Sequence, residues 1–291
     1  MSAKPEFLVA RIEELIRRRT STDRRMGYAW MIVPLLPILV GIVLAVSFVG
    51  IILSAIPRMT TIEQTGTFPQ PIAELFSLYL FAIASFFVVM VLGSFALYYF
   101  IDRRNAHFNR QKQLFRTVAE YLESRAAIKV GENVSTLSYI LDDAAVEEQD
   151  RPAGVWAVLN LFVTPIVSLF VAYSLTQDFR GHEQRQQRYV SALAAAFGDV
   201  GLTSLTFPTQ TTRGRDPLLY VVLTVITGGL FWVYWFYTIL RDYNNHFRAQ
   251  AKIEDDMLAT LRPKTLTATC ATCGGSVPEN AKFCPFCGRS L

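Results

Sequence analysis

Residues 228–250 read GGLFWVYWFYTILRDYNNHFRAQ, an uncharged aromatic stretch that passes directly into a charged one. It is the last hydrophobic stretch of the chain, and its second half has two counterparts earlier in the sequence. Aligning the three histidines gives Tyr98-x8-His107-x3-Gln111, Tyr173-x8-His182-x3-Gln186 and Tyr237-x8-His246-x3-Gln250. In each copy the tyrosine closes a hydrophobic run, and the histidine and glutamine lie on the polar stretch that follows. We interpret this pattern as a degenerate internal repeat.

The composition indicates a membrane protein. Of the 291 residues, 52% are hydrophobic and only 18% are charged, whereas soluble domains carry about 25% charged residues. Four stretches contain no charged residue: 27–57, 75–101, 152–177 and 217–240. The first two are longer than the ~20 residues that an α-helix needs to cross a hydrocarbon core.

The third and fourth stretches allow two interpretations. Each is long enough to cross the membrane once, and this length makes crossing our slightly preferred expectation. Each also carries a helix-breaking pair near its middle, Thr164-Pro165 and Gly228-Gly229. Two half-helices are too short to span singly, so each stretch could instead be a re-entrant hairpin. Crossing places residues 178–216 outside the cell, whereas re-entry keeps them inside and puts all three histidine motifs on one side.

Basic residues fix the predicted orientation. Arg17–Arg25 precedes the first stretch, and five basic residues follow the second: Arg103, Arg104, Arg110, Lys112 and Arg116. The intervening loop, 58–74, holds one Arg and two Glu. The positive-inside rule therefore predicts a multi-pass protein of the cell (plasma) membrane with both termini in the cytosol.

Two polar regions flank the first pair of spans. Residues 5–25 have helical periodicity, with Leu8, Ile12, Leu15 and Ile16 on one face. Such a helix either lies on an anionic membrane surface or packs against another cytosolic helix, and the sequence favours neither. Residues 102–150 indicate a soluble helical segment, whose acidic cluster at Asp142–Asp150 we expect to form a solvated face.

The chain ends in a metal-ligand pattern. Its four cysteines form two Cys-x2-Cys pairs, Cys270/Cys273 and Cys284/Cys287, separated by ten residues. Four thiolates suit tetrahedral zinc, and the absence of other cysteines argues against a disulfide framework. Glycines after each pair, Gly274 and Gly288, allow a tight turn with positive φ. With all four positions filled by protein, the predicted Zn²⁺ ion is structural and its binding is coupled to folding.

Two family resemblances add to this interpretation. Residues 268–291 resemble the small prokaryotic zinc-ribbon family through Cys273-Gly274, the run Pro278–Cys284 and Cys287-Gly288. That resemblance implies a β-type ribbon with one structural zinc ion, attached to proteins of many functions. Residues 217–250 resemble, more weakly, an uncharacterised prokaryotic membrane-domain family with a Thr-x-Gly turn, an aromatic helix and a polar exit carrying Asn. The matching residues are Thr227, Gly229, Tyr234, Trp235, Phe236 and Asn244 or Asn245, and the resemblance implies a membrane hairpin without a known activity.

The histidines support two hypotheses. Asp178/His182 and Asp242/His246 are spaced i,i+4, so each pair faces one side of its helix. His107, His182 and His246 could therefore line a cytosolic vestibule as a pH-sensitive or metal site. The first copy breaks the pattern, with Arg103 in the aspartate position. The plainer interpretation, which we favour, is that these residues mark where three related helices leave the membrane.

Taken together, these patterns predict an all-α polytopic membrane protein with about four hydrophobic helical segments, cytosolic helical extensions and a small C-terminal β-type zinc ribbon. The predicted order is an amphipathic cytosolic helix at 1–26, a transmembrane hairpin at 27–101, a cytosolic helical segment at 102–151, a second membrane region at 152–261, a linker at 262–269 and the ribbon at 270–291.

For function, the sequence favours a non-enzyme. It contains no P-loop, dinucleotide fingerprint, nucleophile elbow or His-Glu-x2-His motif, and we predict no catalytic or cofactor-binding residue beyond the zinc ligands. The first hypothesis is a membrane scaffold or complex subunit whose ribbon binds a protein partner. The alternative is a homo-oligomeric channel or transporter gated by the cytosolic segments. The ribbon carries few basic residues, Lys282 and Arg289, which argues against nucleic acid as a partner.

Overall fold

We describe the fold from a computed structural model, which covers residues 5–65, 70–125, 132–202, 214–262, 267–274, 276–278, 282–284 and 287–290. Helices dominate this part of the chain, and two three-residue strands pair antiparallel near its end. The elements are α1 Pro5–Arg17, α2 Arg19–Thr22, α3 Ile32–Thr65, α4 Gln70–Arg125, α5 Glu132–Glu147, α6 Ala153–Phe162, α7 Ile166–Asp199, α8 Pro217–Ile226, α9 Leu230–Leu261, β1 Thr267–Thr269 and β2 Ser276–Pro278.

Within the described ranges, two helical segments are long and apolar enough to cross a membrane. They are Tyr28–Ala55, which includes a 3₁₀ turn before α3, and Ile72–Arg125, which is most of α4. None of the most apolar part of either segment is buried inside the protein. Exposed apolar surface on this scale is typical of a lipid-facing helix.

The third and fourth uncharged stretches are each divided into a short helix and the start of a long one. Helices α6 and α8 have 10 residues each, a length of ~15 Å, which is about half of a hydrocarbon core. Pro165 begins the turn into α7. Gly228 and Gly229 have φ angles of 59° and 93°, a conformation that glycine adopts without the steric cost of a side chain. Both breaks lie where the sequence predicted them.

The three long helices α4, α7 and α9 run parallel to one another. Between α4 and α9, Phe100 contacts Phe236, and further along Arg110 contacts Glu254. Between α4 and α7, Arg104 pairs with Asp178, and further along Tyr189 donates a hydrogen bond to the Phe115 carbonyl. Residue numbers increase together in both pairs. The three hairpins α3–α4, α6–α7 and α8–α9 therefore point their apolar ends the same way.

The polar halves of these helices share one hydrophobic core, which we call the bundle core. It combines Leu8, Ile12, Leu15 and Ile16 of α1 with Leu114, Val118 and Leu122 of α4, Val134, Leu137 and Ile140 of α5, Leu193, Ala196 and Phe197 of α7, and Ile253, Met257 and Leu261 of α9. Helix α1 thus packs against other helices, with its apolar face buried. Burying each Leu or Ile side chain contributes roughly 1.5–3 kcal/mol. The packed alternative for residues 5–17 agrees with the structure.

The second and third hairpins are fastened by equivalent ion pairs. Arg151, just before α6, donates from Nε to Asp178 of α7 over 2.6 Å. Arg215, just before α8, donates from Nε and Nη2 to Asp242 of α9. Both pairs span 27 residues of sequence. In the second and third copies the internal repeat therefore extends further toward the N-terminus than the histidine motif alone.

Candidate metal centres

The four cysteines come together at the C-terminal end of the chain. Their sulfur atoms all lie within 4.8 Å of one another. The Sγ atoms of Cys270 and Cys287 are 3.8 Å apart, and those of Cys273 and Cys284 are 3.6 Å apart. A tetrahedral zinc ion with Zn–S bonds of ~2.3 Å places its sulfurs about 3.8 Å apart. The cluster could hold one metal ion, and its dimensions are compatible with structural zinc.

Each cysteine pair closes with the turn expected from the sequence. The Gly274 N–H donates to the Cys270 carbonyl over 2.9 Å, and the Gly288 N–H donates to the Cys284 carbonyl over 2.9 Å. Both glycines have positive φ, 70° and 73°. A side chain there would be strained, which explains why glycine follows each Cys-x2-Cys pair.

A second cluster forms where α4, α7 and α9 meet. It contains all three histidines of the chain, His107, His182 and His246, whose exposed fractions are 0%, 3% and 3%. One nitrogen from each ring lies within 4.8 Å of the others, so this cluster could also hold a metal ion. The Nε2 atoms of His107 and His246 are 3.2 Å apart. The three histidines therefore lie close enough together to form one site, as the hypothesis of a histidine site requires.

Each imidazole has a carboxylate on its Nδ1 side. Asp23 Oδ1 lies 3.0 Å from His107 Nδ1, and Glu148 Oε1 lies 2.9 Å from His182 Nδ1. Glu183 Oε1 lies 3.7 Å from His246 Nδ1. Arg185 donates to the same oxygen of Glu148 over 2.9 Å. This arrangement orients the rings, and the Nε2 atoms of His107 and His246 face each other.

The electrostatics of the cluster favour neutral imidazoles at His107 and His246 and an ionised carboxylate at Glu148. Burial lowers the pKa of His107 to about 3, although Asp23 acts in the opposite direction. Burial also lowers the pKa of His246. For Glu148, burial raises the pKa, but His182 and Arg185 outweigh it and bring the pKa down to about 2. Neutral imidazole is the form that binds a metal.

The repeat glutamines form the next layer of the bundle. Gln111, Gln186 and Gln250 each follow their histidine by one helical turn, so they lie on the same helix faces. Gln186 donates to the Gln250 side-chain oxygen, and Gln250 donates to Glu254 over 3.0 Å. The amide of Gln111 is buried, and among the described residues neither of its polar atoms has a hydrogen-bond partner. Buried amides without a partner are uncommon in folded proteins.

Arg110 ties this region to the N-terminal segment. Its guanidinium donates to Asp23 over 2.7 Å and to Glu254 over 2.8 Å, and all three side chains are at most 3% exposed. The sequence placed Arg110 in a cytosolic basic flank. In the structure it lies at the centre of the bundle, where it neutralises two buried carboxylates.

No protein-family model matches the chain, and no curated protein or solved structure does so either. The resemblances to a zinc-ribbon family and to a membrane-domain family therefore stay predictions.

The structure brings together the three histidines of the less-favoured hypothesis, but it does not pair them with the aspartates spaced i,i+4 from two of them. Asp178 and Asp242, one turn before two of the histidines, pair with Arg151 and Arg215. The partner of His182 is instead Glu148, which is 3% exposed. The expectation of a solvated face at Asp142–Asp150 is thus wrong for Glu148, because α5 packs against α7 and carries this residue into the bundle.

Proposed function

We propose that this protein is an integral membrane scaffold that displays a cytosolic zinc ribbon to a protein partner. The observation that carries the proposal is the bundle core, which joins α1, α4, α5, α7 and α9 into one helical platform. The platform is continuous with three apolar hairpins at one end. Its last helix ends at Leu261, and the first strand of the cysteine-bearing segment begins at Thr267.

The hairpin tips support anchoring in lipid. Phe162 and Ile166, on either side of the α6–α7 turn, are 80% and 68% exposed, and Ile226 before the α8–α9 turn is 75% exposed. Large apolar side chains at this exposure are a liability in water and are favourable in a hydrocarbon layer. We place the α6–α7 and α8–α9 tips in the membrane, together with the apolar parts of α3 and α4.

The packing supports re-entry for the second and third hairpins. In the proposed topology α3 and α4 cross the membrane, while α6–α7 and α8–α9 enter from the cytosolic side and return. Crossing would place residues 178–199 outside the cell, yet these residues share the bundle core with α4 beyond residue 114 and with α5. One core cannot lie on both sides of a bilayer.

Cysteine accessibility tests this topology. In a chain with all four native cysteines replaced by serine, Ser191→Cys on the exposed face of α7 is expected to react with a membrane-impermeant maleimide only after the cytosolic side is opened. Ser135→Cys on α5 is the inside control, and Thr67→Cys, in the predicted outer loop, is the outside control. Labelling of Ser191→Cys in intact cells would establish four crossings and reject re-entry.

Partner capture tests the scaffold. The wild-type chain in detergent is expected to retain a set of proteins that is lost when Cys270 and Cys284 are both replaced by serine. Ser290→Ala, an exposed position in the same segment, is the matched control and should keep them. An unchanged partner set in the double cysteine variant would reject the ribbon as the recruiting element.

The channel hypothesis has less support among the described residues. The apolar hairpins contain a buried polar cluster in which Asn160 donates to Ser94 over 3.0 Å and accepts from Ser168 over 2.7 Å. The polar groups of these three side chains are therefore hydrogen-bonded to one another across α4, α6 and α7. Such contacts hold membrane helices together and do not by themselves form a solute path.

A further inference from the structure

We propose that His107, His182 and His246 bind one divalent transition-metal ion, with Zn²⁺ as the first candidate, at the junction of the three hairpins. This site is separate from the cysteine cluster and does not depend on the scaffold proposal. Three imidazole ligands suit Zn²⁺ and its neighbours in the first transition series, whereas Mg²⁺ and Ca²⁺ prefer oxygen ligands.

The carboxylates determine which nitrogen of each ring faces the others. An ionised carboxylate accepts hydrogen bonds but cannot donate them, so an Nδ1 atom facing one carries the hydrogen. Nδ1 of His182 hydrogen-bonds Glu148 over 2.9 Å, and Nδ1 of His107 lies 3.0 Å from Asp23 but outside hydrogen-bond geometry. A ring with its hydrogen on Nδ1 presents a lone pair at Nε2. A carboxylate behind a metal-binding histidine is the usual outer-shell partner, since it fixes the tautomer and makes the ligand more basic.

The distances between the ligand atoms fit a single ion. Zn–N bonds of ~2.0–2.1 Å in a tetrahedron place two nitrogens about 3.3 Å apart. The Nε2 atoms of His107 and His246 are 3.2 Å apart. Nε2 of His182 is buried and has no hydrogen-bond partner in the part of the chain that the structure describes. Lone pairs this close repel one another in a water-poor site. A cation between them would remove this repulsion by binding one nitrogen atom of each histidine.

A polar side chain lies one helical turn from the proposed site. Gln111 follows His107 by one turn on the same face of α4, and its buried amide has no hydrogen-bond partner among the described residues. A water molecule completing the tetrahedron would give this amide a partner. Because all three histidines are almost fully buried, the site has no room for a large substrate, and the ion would act by holding helices together.

Binding at this site would connect most of the platform. The three ligands come from α4, α7 and α9, and their carboxylate partners bring in the segment before α3 through Asp23 and the turn after α5 through Glu148. Occupancy of the site is therefore coupled to the packing of the whole bundle. An ion that binds only the folded state raises its stability with increasing concentration of free metal.

Metal binding by the full chain tests the inference. All four cysteines are replaced by serine, the protein is stripped with a chelator in detergent, and Zn²⁺ or Co²⁺ is added back. We expect one ion per chain, a higher unfolding temperature with metal than without, and an absorption spectrum of nitrogen-coordinated Co²⁺. His246→Asn is expected to abolish all three effects. A stripped chain that binds no ion, or one that keeps its ion after His246→Asn, would overturn the proposal and indicate histidines joined by a shared proton.

A second variant covers the case in which His246→Asn does not fold. Glu148→Gln preserves the shape of the residue but weakens its hold on His182, and loss of such an outer-shell partner typically costs about 10–100-fold in metal affinity. Glu147→Gln, the exposed neighbour on α5, is the matched control and should leave the affinity unchanged. Equal metal affinities in these two variants would contradict the proposed role of Glu148 in positioning His182.

Discussion

Replacing Arg110 by methionine is expected to destabilise the bundle by about 3–5 kcal/mol, because it leaves two buried carboxylates without their cation. Arg110 neutralises Asp23 and Glu254, and its side chain is 1% exposed. Methionine preserves much of the volume, so most of the loss is electrostatic. The measurement is the free energy of unfolding in detergent, followed by circular dichroism.

Arg116→Met is the matched control on the same helix. Arg116 and its partner Asp142 have side chains that are 56% and 79% exposed, with 3.6 Å between the charged atoms, and exposed pairs contribute about 0–1 kcal/mol. Adding Asp23→Asn and Glu254→Gln to Arg110→Met should recover much of the loss. Equal effects of Arg110→Met and Arg116→Met would show that the buried network contributes little.

The defect of Arg110→Met should also depend on pH. Burial raises the pKa of Glu254, and Arg110 opposes that effect. In the variant the folded-state pKa lies further above the unfolded value of 4.5. A group with a raised folded-state pKa favours folding fully below its unfolded pKa, and this contribution is lost as the pH rises through the folded pKa. The difference from wild type should therefore shrink as the pH falls from 7 toward 5.

Replacing Cys284 by serine is expected to unfold the cysteine-bearing segment while leaving the helical bundle intact. Structural zinc contributes about 10–16 kcal/mol of apparent binding free energy in small zinc-finger peptides. The short paired strands, of three residues each, offer little core to replace it. Bound metal should fall by one ion per chain, and a protease should cleave after residue 262 while the remaining fragment stays resistant.

Thr272→Ala is the control for Cys284→Ser. Thr272 lies between Cys270 and Cys273, is exposed, and contributes no ligand. It should keep the metal content and protease resistance of the wild type. A Cys284→Ser chain with unchanged metal content and resistance would mean that the four thiols do not hold an ion.

The parts of the fold that the sequence predicted are those determined by local patterns. Uncharged length located α3 and α4, Thr164-Pro165 and Gly228-Gly229 located the two breaks, and the Cys-x2-Cys spacing located the cysteine cluster. Each of these features depends on neighbours within a few residues. Helical periodicity and turn chemistry are therefore sufficient to find them.

The histidine site could not be predicted from local sequence patterns. Its ligands belong to three helices, and its carboxylates Asp23 and Glu148 lie 84 and 34 positions from their histidines. The i,i+4 spacing suggested Asp178 and Asp242 as the partners of His182 and His246, but these aspartates bind arginines instead. One signal could have indicated the parallel arrangement: Arg151 and Arg215 precede these aspartates by the same 27 residues.

The unequal lengths of the hairpins have a consequence for the bilayer itself. In the proposed topology six helical segments occupy the cytosolic leaflet, but only α3 and α4 continue into the outer one, because α6 and α8 are 10 residues long. The embedded part of the protein is then a wedge with its broad end toward the cytosol. Such a wedge takes up more area in the cytosolic leaflet than in the outer one. This difference favours a membrane that is convex on its cytosolic side. The protein would accordingly concentrate where the bilayer already bends in that direction.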